Sequence, residues 1–298
     1  MRPPPAPGLL PIHKPAGMTS RRVVDAVMGK VGGRRVGHAG TLDPFAEGLL
    51  LVLWGRATGL VPYLHEYSKS YLASIRLGRS TDTQDRTGKI LEERDAGWLE
   101  AAAIREAMSA FLGDIEQVPP AFSAVKRNGR RSYELARRGE QPVASARTRR
   151  VHRFELLEWE PPLARALVVC STGTYVRTLA HDLGRQLGPG GSLDVLTRIA
   201  IGPFRVEDAL GVDEVTRMGR EEILARAIPP AAALPDWPAL IVEDDAARDL
   251  ANGIPGTLAE RAPADRPVRV IDREGRLLAL YRGGPKPGFL RVFVGDEA

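Results

Sequence analysis

The sequence predicts an α+β fold in two parts, a large domain followed by a small β-rich one. Three observations carry this. Short apolar or alternating runs at 49–53, 71–77 and 165–171 are interleaved with helical stretches in no regular strand–helix order, which argues against a repeating βαβ array. Pro229, Pro230, Pro235 and Pro238 cluster at 229–238 and mark a boundary. Beyond them about 60 residues hold three further strand-like runs. A length of 298 residues suits one large and one small domain, and a hydrophobic content of 43% supports a core.

Each element has its own signal. The first eight residues are proline-rich and lack an apolar signal-peptide stretch, so an extended tail is expected over 1–8. The large domain is then 9–234. Residues 8–16 read as a short strand running into a turn. Thr19 or Ser20 can cap a helix reaching about Lys30, with Val23, Val24, Val27 and Val31 near helical period. Leu49–Leu53 reads as a buried strand closed by Gly55. Tyr71–Leu77 alternates like a strand and ends at Gly78, and a polar loop follows over 80–88. The Ala-rich stretch Trp98–Leu112 places Leu99, Ile104, Met108 and Phe111 near one helical face. Pro119-Pro120 breaks the chain. Arg165–Ser171 reads as a buried strand, Gly173 as a turn, about 174–187 as a helix, and 213–228 as further helices. In the small domain, 238–298, a short helix is expected at 244–250 and strands at 268–271, 277–281 and 289–294.

Charge and composition limit the function. The chain carries a net charge of +5 and a pI of about 9.5. Between Lys126 and Arg153 stand ten Lys/Arg against two acids, a local net of +8 that leaves the remainder near −3. Such a block reads as the footprint of a polyanion, against the plainer alternative of a solvated arginine-rich surface. No window approaches 18 uninterrupted apolar residues, so no membrane span is expected. A single cysteine, Cys170, rules out an internal disulfide and fits a reducing compartment. With no Cys/His pair at zinc spacing, no phosphate-binding loop and no dinucleotide fingerprint, neither metal nor cofactor is expected.

One segment concentrates chemistry. Gly37-His38-Ala39-Gly40-Thr41-Leu42-Asp43-Pro44-Phe45-Ala46-Glu47-Gly48-Leu49 sets a lone carboxylate among glycines and before a proline, ahead of an apolar run. Backbone geometry can hold such a carboxylate toward a cleft, where it suits a nucleophile or a general base. An Asp before Pro also simply opens a turn, which is the reading if it stood alone.

That segment resembles the catalytic loop of the bacterial tRNA pseudouridine synthase B family, G-H-x-G-T-L-D-P-x-A-x-G-L-L. Cys170–Leu179 is similar to the family's C-S-x-G-T-Y-[IV]-R-[ST]-L, Lys69-Ser70-Tyr71 to its K-x-Y, and Lys14–Ser20 to its K-P-x-G-x-T-S. The likeness covers roughly 9–295. It implies a mixed-sheet catalytic domain with a C-terminal PUA-like RNA-binding domain, in a cytoplasmic monomer. The implied reaction is cofactor-free isomerisation of uridine 55 in the T-loop of tRNA, after the nucleotide is flipped out. It further implies Asp43, Tyr71 and Arg177 as catalytic residues, with Arg177 keeping Asp43 ionised. Tyr71 is then either the base or a stacking platform. Asp43 could attack the uracil ring, attack the sugar, or deprotonate the sugar. His38, Tyr175, Leu196, Lys14 and Arg198 are implied on the substrate side, with the Lys14 segment buttressing the loop. Lys126, Arg127, Arg130, Arg131, Arg149 and Arg150, in a basic segment at about 120–153, would meet the RNA backbone with strong salt dependence.

Two positions depart from the family pattern: His13 stands where an acid is usual, and Thr197 where a second basic residue is frequent. Two other readings compete. A non-catalytic RNA-binding protein or tRNA chaperone would use the basic block and C-terminal domain, but would not require Asp43, Tyr71 and Arg177 together. A glycosidic-bond hydrolase would need a second carboxylate, with Asp82 or Asp85 as candidates.

Overall fold

The computed structural model describes residues 5–32, 35–120, 145–243, 249–250, 254–255 and 258–294, and the backbone alone at 126–127 and 130–131. In chain order the first elements are β1 (Gly8–Lys14), α1 (Ser20–Val31), β2 (Val36–Ala39), β3 (Glu47–Trp54), α2 (Val61–Glu66), β4 (Lys69–Leu77), and the hairpin strands β5 (Arg79–Thr81) and β6 (Ile90–Glu93). Next come α3 (Ala101–Ser109), β7 (Gly113–Gln117), β8 (Lys126–Arg127), β9 (Arg130–Arg131), β10 (Arg147–Glu160), β11 (Leu163–Cys170), α4 (Val176–Leu187) and β12 (Gly191–Ile201). The chain continues through β13 (Phe204–Arg205), β14 (Leu210–Gly211), α5 (Val212–Arg217) and α6 (Arg220–Ala225). It closes with β15 (Ala239–Ile241), α7 (Leu258–Arg261), β16 (Pro267–Ile271), β17 (Leu277–Arg282) and β18 (Gly288–Val292).

Ten strands form one mixed sheet in the order β14-β1-β3-β12-β4-β11-β10-β7, with β2 added on β3 and β13 on β12. The β1–β14 and β3–β12 pairs are parallel and the rest antiparallel. This is the mixed α+β architecture the sequence predicts. The β3–β12 pair matters most, because it sets Gly48 beside Arg198, while β4 on the other flank of β12 sets Tyr71 opposite Arg198.

Alternating burial explains the layers. Leu50 and Val52 of β3 face Val23, Val24 and Val27 of α1, while Leu49, Leu51 and Leu53 face the opposite side. Tyr71, Ala73 and Ile75 of β4 face a core with α3 and α4. The C-terminal sheet, β15-β16-β17-β18, has its own apolar cluster around Val268, Val270 and Tyr281. Its Leu277, Leu280 and Phe293 pack into the same core as Leu51, Leu53 and Leu60, so this module shares a core with the large sheet. Tyr63 Oη donates to the Leu290 carbonyl at 3.0 Å and Arg56 Nη1 to that of Phe293 at 2.5 Å.

Several elements differ from their sequence signals. The chain is tied down before position 8: Trp54 Nε1 donates to the Ala6 carbonyl at 2.7 Å, Pro5 is buried and β1 begins at Gly8. The remaining tail, 1–4, lies outside the described residues. The helix expected at 98–112 is confined to Ala101–Ser109, because Trp98 stays 62% exposed with its indole N–H on the Asp95 carbonyl. The loop at 80–88 is the tip of the β5–β6 hairpin. The helix expected at 244–250 falls largely outside the described residues. Among the described residues no helix is long and apolar enough to cross a membrane.

Candidate active site

The Asp43 loop is gripped from several sides through its backbone. Thr19 caps α1 by accepting from Arg22 N–H, which leaves the buried Ser20 hydroxyl free. That hydroxyl donates to the Leu42 carbonyl at 3.1 Å and accepts from the Leu42 N–H at 3.0 Å. Gly17 N–H donates to the Pro44 carbonyl at 2.7 Å. Lys14, fully buried, donates to the carbonyls of Met18 at 2.7 Å, Pro15 at 3.0 Å and Pro44 at 3.4 Å. The Lys14–Ser20 segment therefore holds both residues that flank Asp43. The Asp43 side chain itself stays 40% exposed.

Arg177 closes the site from the first turn of α4. Its Nε lies 2.9 Å from Asp43 Oδ2, while its Nη1 lies 3.3 Å from Asp85 Oδ2 and donates to the Thr83 carbonyl at 3.0 Å. Asp85 is almost wholly buried, and its Oδ1 accepts from Thr83 Oγ1 at 2.8 Å, Thr87 N–H at 2.9 Å and Thr87 Oγ1 at 2.5 Å. One guanidinium thus bridges an open carboxylate and a buried one. This argues against Asp85 as the second carboxylate of a hydrolase: its oxygens are already satisfied. Sequence reasoning had no signal for this anchoring role, because 92 residues separate Asp85 from Arg177.

The electrostatics follow from burial. Burial lifts the Asp43 carboxyl above its usual range; Arg177 opposes this, Asp85 reinforces it and Lys14 opposes it. Burial brings the Lys14 ammonium down to about 8. The Tyr71 phenol, on β4, is pushed up to about 12, chiefly by burial, with the nearby Arg198 charge opposing. His38, half-buried on β2, falls to about 4 through burial and the nearby Arg198 and His65, so its imidazole is neutral at physiological pH. A neutral ring can stack or share a hydrogen bond, but it cannot act as a cationic clamp on phosphate.

Other candidate residues divide into those that reach the site and those that support it. Leu196 is buried in the core with Tyr71, Leu42 and Phe45. Tyr175, half-buried, occupies the N-cap of α4. Arg198, expected on the substrate side, is buried behind the loop, where its Nε donates to the Leu49 carbonyl at 2.7 Å and its Nη2 to that of Gly40 at 2.9 Å. Thr197, at one of the two departures, donates to Glu47 at 3.1 Å. Of the residues expected at the RNA backbone, Arg149 and Arg150 lie on β10. Arg149 Nε donates to the Gly173 carbonyl at 3.0 Å, and Arg150 Nε lies 3.4 Å from Asp114. The side chains of Lys126, Arg127, Arg130 and Arg131 lie outside the described residues, although their backbones pair as β8 and β9. Gln117 was missed: its buried amide clasps both backbone groups of Tyr175, accepting from N–H at 2.7 Å and donating to C=O at 3.0 Å. Only its place before Pro119-Pro120 marks it in the sequence.

Comparison with known proteins identifies the family. Residues 29–176 match the family model described as TruB family pseudouridylate synthase, N-terminal domain. The chain is 46% identical to the tRNA pseudouridine synthase B of Symbiobacterium thermophilum over 250 residues, covering 83% of this chain and 82% of that one. It is 42% identical to that of Thermobifida fusca over 302 residues, covering 98% and 100%. Among solved structures, a Cbf5-Nop10-Gar1 complex contains a chain similar to this one with a TM-score of 0.69 and 27% identity, covering 97% of this chain and 84% of that one. An H/ACA RNP bound to a substrate RNA containing 2'-deoxyuridine contains another, with a TM-score of 0.70 and 25% identity, covering 97% and 85%.

Proposed function

We propose, for a chain that belongs to the tRNA pseudouridine synthase B family and is therefore an enzyme isomerising uridine to pseudouridine in tRNA, a specific substrate position and a specific reacting group. The substrate is uridine 55 in the T-loop, presented as a flipped-out nucleotide, and the reacting group is Asp43. The observation that carries this is the Asp43–Arg177 contact of 2.9 Å at a partly open carboxylate, whose loop backbone is fastened by Ser20, Gly17 and Lys14.

The reaction breaks the N1–C1' glycosidic bond and forms a C5–C1' bond. A proton leaves C5 and one arrives at N1, so atoms and electrons balance without a co-reactant. Asp43 supplies the ionised oxygen at the nucleoside and Arg177 keeps it ionised against burial. The Tyr71 ring forms one wall for the base beside Leu196. With its phenol lifted to about 12, Tyr71 serves more readily as a stacking and hydrogen-bonding group than as a phenolate base. His38 contacts the RNA near the flipped nucleotide. The basic stretch from Lys126 to Arg153 meets the phosphate backbone, and the C-terminal PUA-like sheet adds RNA contact. The enzyme acts as a monomer in the cytoplasm, a setting that suits a chain with one cysteine.

The test uses an unmodified tRNA transcript and the purified full chain with no added cofactor. Carbodiimide labelling and primer extension should give one stop, at position 55. Asp43→Ala should slow its appearance by about 10²-fold or more while tRNA still binds. A stop elsewhere would refute the site assignment, and an active Asp43→Ala would refute the reacting group.

A further inference from the structure

Arg198 brings a positive charge into a place where its recorded partners are all neutral. It is 1% exposed, and its hydrogen bonds go to the carbonyls of Leu49 at 2.7 Å, Gly40 at 2.9 Å and Thr41 at 3.5 Å. A guanidinium out of water is tolerated only when its N–H groups are satisfied, and its rigid fork can satisfy several acceptors at once. The acceptors here are not scattered. Gly40 and Thr41 precede Asp43 in the chain and Leu49 follows it, so one side chain closes both ends of the Asp43 loop.

The backbone of Arg198 is equally committed. A Cβ placed on Gly48, where φ is +107°, would lie 2.3 Å from the Arg198 carbonyl oxygen, so only glycine lets the loop's exit strand approach this closely. On the other flank Arg198 stands directly opposite Tyr71 across β12 and β4, which puts both side chains on one face. The two pieces of the site that come from different parts of the chain, loop and tyrosine, meet at this residue.

We infer that Arg198 is a positioning residue that fixes the Asp43 loop against the strand that carries Tyr71. This rests on the reading of Asp43 and Tyr71 as groups that meet the substrate.

The experiment measures single-turnover isomerisation and tRNA Kd for the full-length chain as wild type, Asp43→Asn, Arg198→Met, Arg198→Lys, Tyr71→Phe and the double variant Arg198→Met with Tyr71→Phe. Arg198→Met should slow the reaction by about 10²-fold, the scale of a small misplacement of reacting groups, with Kd changed less than about threefold. Arg198→Lys should recover part of this, to within about tenfold of wild type, because one ammonium cannot span both loop ends. The double variant should lose less than the product of the single losses, since Arg198 fixes the loop against the strand that carries Tyr71. A folded Arg198→Met at the wild-type rate overturns the inference, and so does a Kd loss that matches the rate loss. If Arg198→Met does not fold, Arg198→Lys decides: full rate overturns the inference, and failure to fold in both variants assigns Arg198 to stability alone. An Asp43→Asn that still isomerises defeats the underlying reading whatever the Arg198 variants do.

Discussion

Asp43 is held in a balance that its pH dependence should expose. Burial favours the neutral acid, and Arg177 is the largest influence opposing it. Only the carboxylate can act as nucleophile or base, so the single-turnover rate should fall as pH drops through a pKa above the ordinary 3.8. Removing the guanidinium raises that pKa further. Arg177→Met should therefore move the acid limb to higher pH, and Arg177→Lys should leave it nearer wild type. An unmoved limb in a folded Arg177→Met would show that Arg177 does not hold the charge on Asp43. At this scale the sequence showed much. The loop motif pointed to Asp43 and the second motif to Arg177, and the two side chains meet at 2.9 Å. Asp85 is legible only as a candidate second carboxylate, and nothing local to Gln117 points to its partner Tyr175.

At the scale of elements, helix α4 depends on a close approach that a residue-by-residue reading misses. A Cβ on Gly184 would lie 2.2 Å from the Gly191 nitrogen at the start of β12. Alanine would improve helix propensity by about 1 kcal/mol. The added carbon meets backbone, which cannot swing aside, and overpacking of this kind costs about 1–3 kcal/mol. The clash should win. Gly184→Ala should lower the thermal midpoint and, because α4 carries Arg177, slow the reaction; an equal or higher Tm would contradict this packing argument. Strand signals fade where a bulge breaks alternation. The basic block conceals β10: its Val151 and Phe154 are buried, but the bulge between Val151 and Arg153 leaves His152 and Arg153 both facing solvent. In β12 the bulges at 193–195 and 198–200 disturb the two-residue period.

For the whole molecule, the proline cluster at 229–238 marks a boundary in the sequence, and apolar packing crosses it. Ala233, Leu234, Leu277, Leu280 and Phe293 belong to the cluster that covers Leu49, Leu51 and Leu53 of β3, and Trp237 stacks edge-on against Tyr63 at 5.5 Å. Ending the chain after Pro238 would remove Leu277, Leu280 and Phe293 from that face. Each large apolar side chain returned to water costs about 1.5–3 kcal/mol, so the truncated protein should lose several kcal/mol of stability. It should unfold at lower temperature and scatter light on heating, whereas the full chain should show one transition. A truncated protein with unchanged Tm would mean the shared core contributes little.

The sequence by itself determined the family, the α+β class, the Asp43 loop and the motif that supplies its cation, because each of these is written in contiguous residues whose spacing has local physical meaning. Only the tertiary structure decided which groups Arg198, Asp85 and Gln117 meet. A buried charge gives no periodic signal, and its role depends on which carbonyls and carboxylates surround it. Those neighbours come together only because β3, β12 and β4 pair in one register, setting Gly48, Arg198 and Tyr71 in a row across the sheet. Sequence motifs mark the candidate groups; the strand register places them within reach of one another.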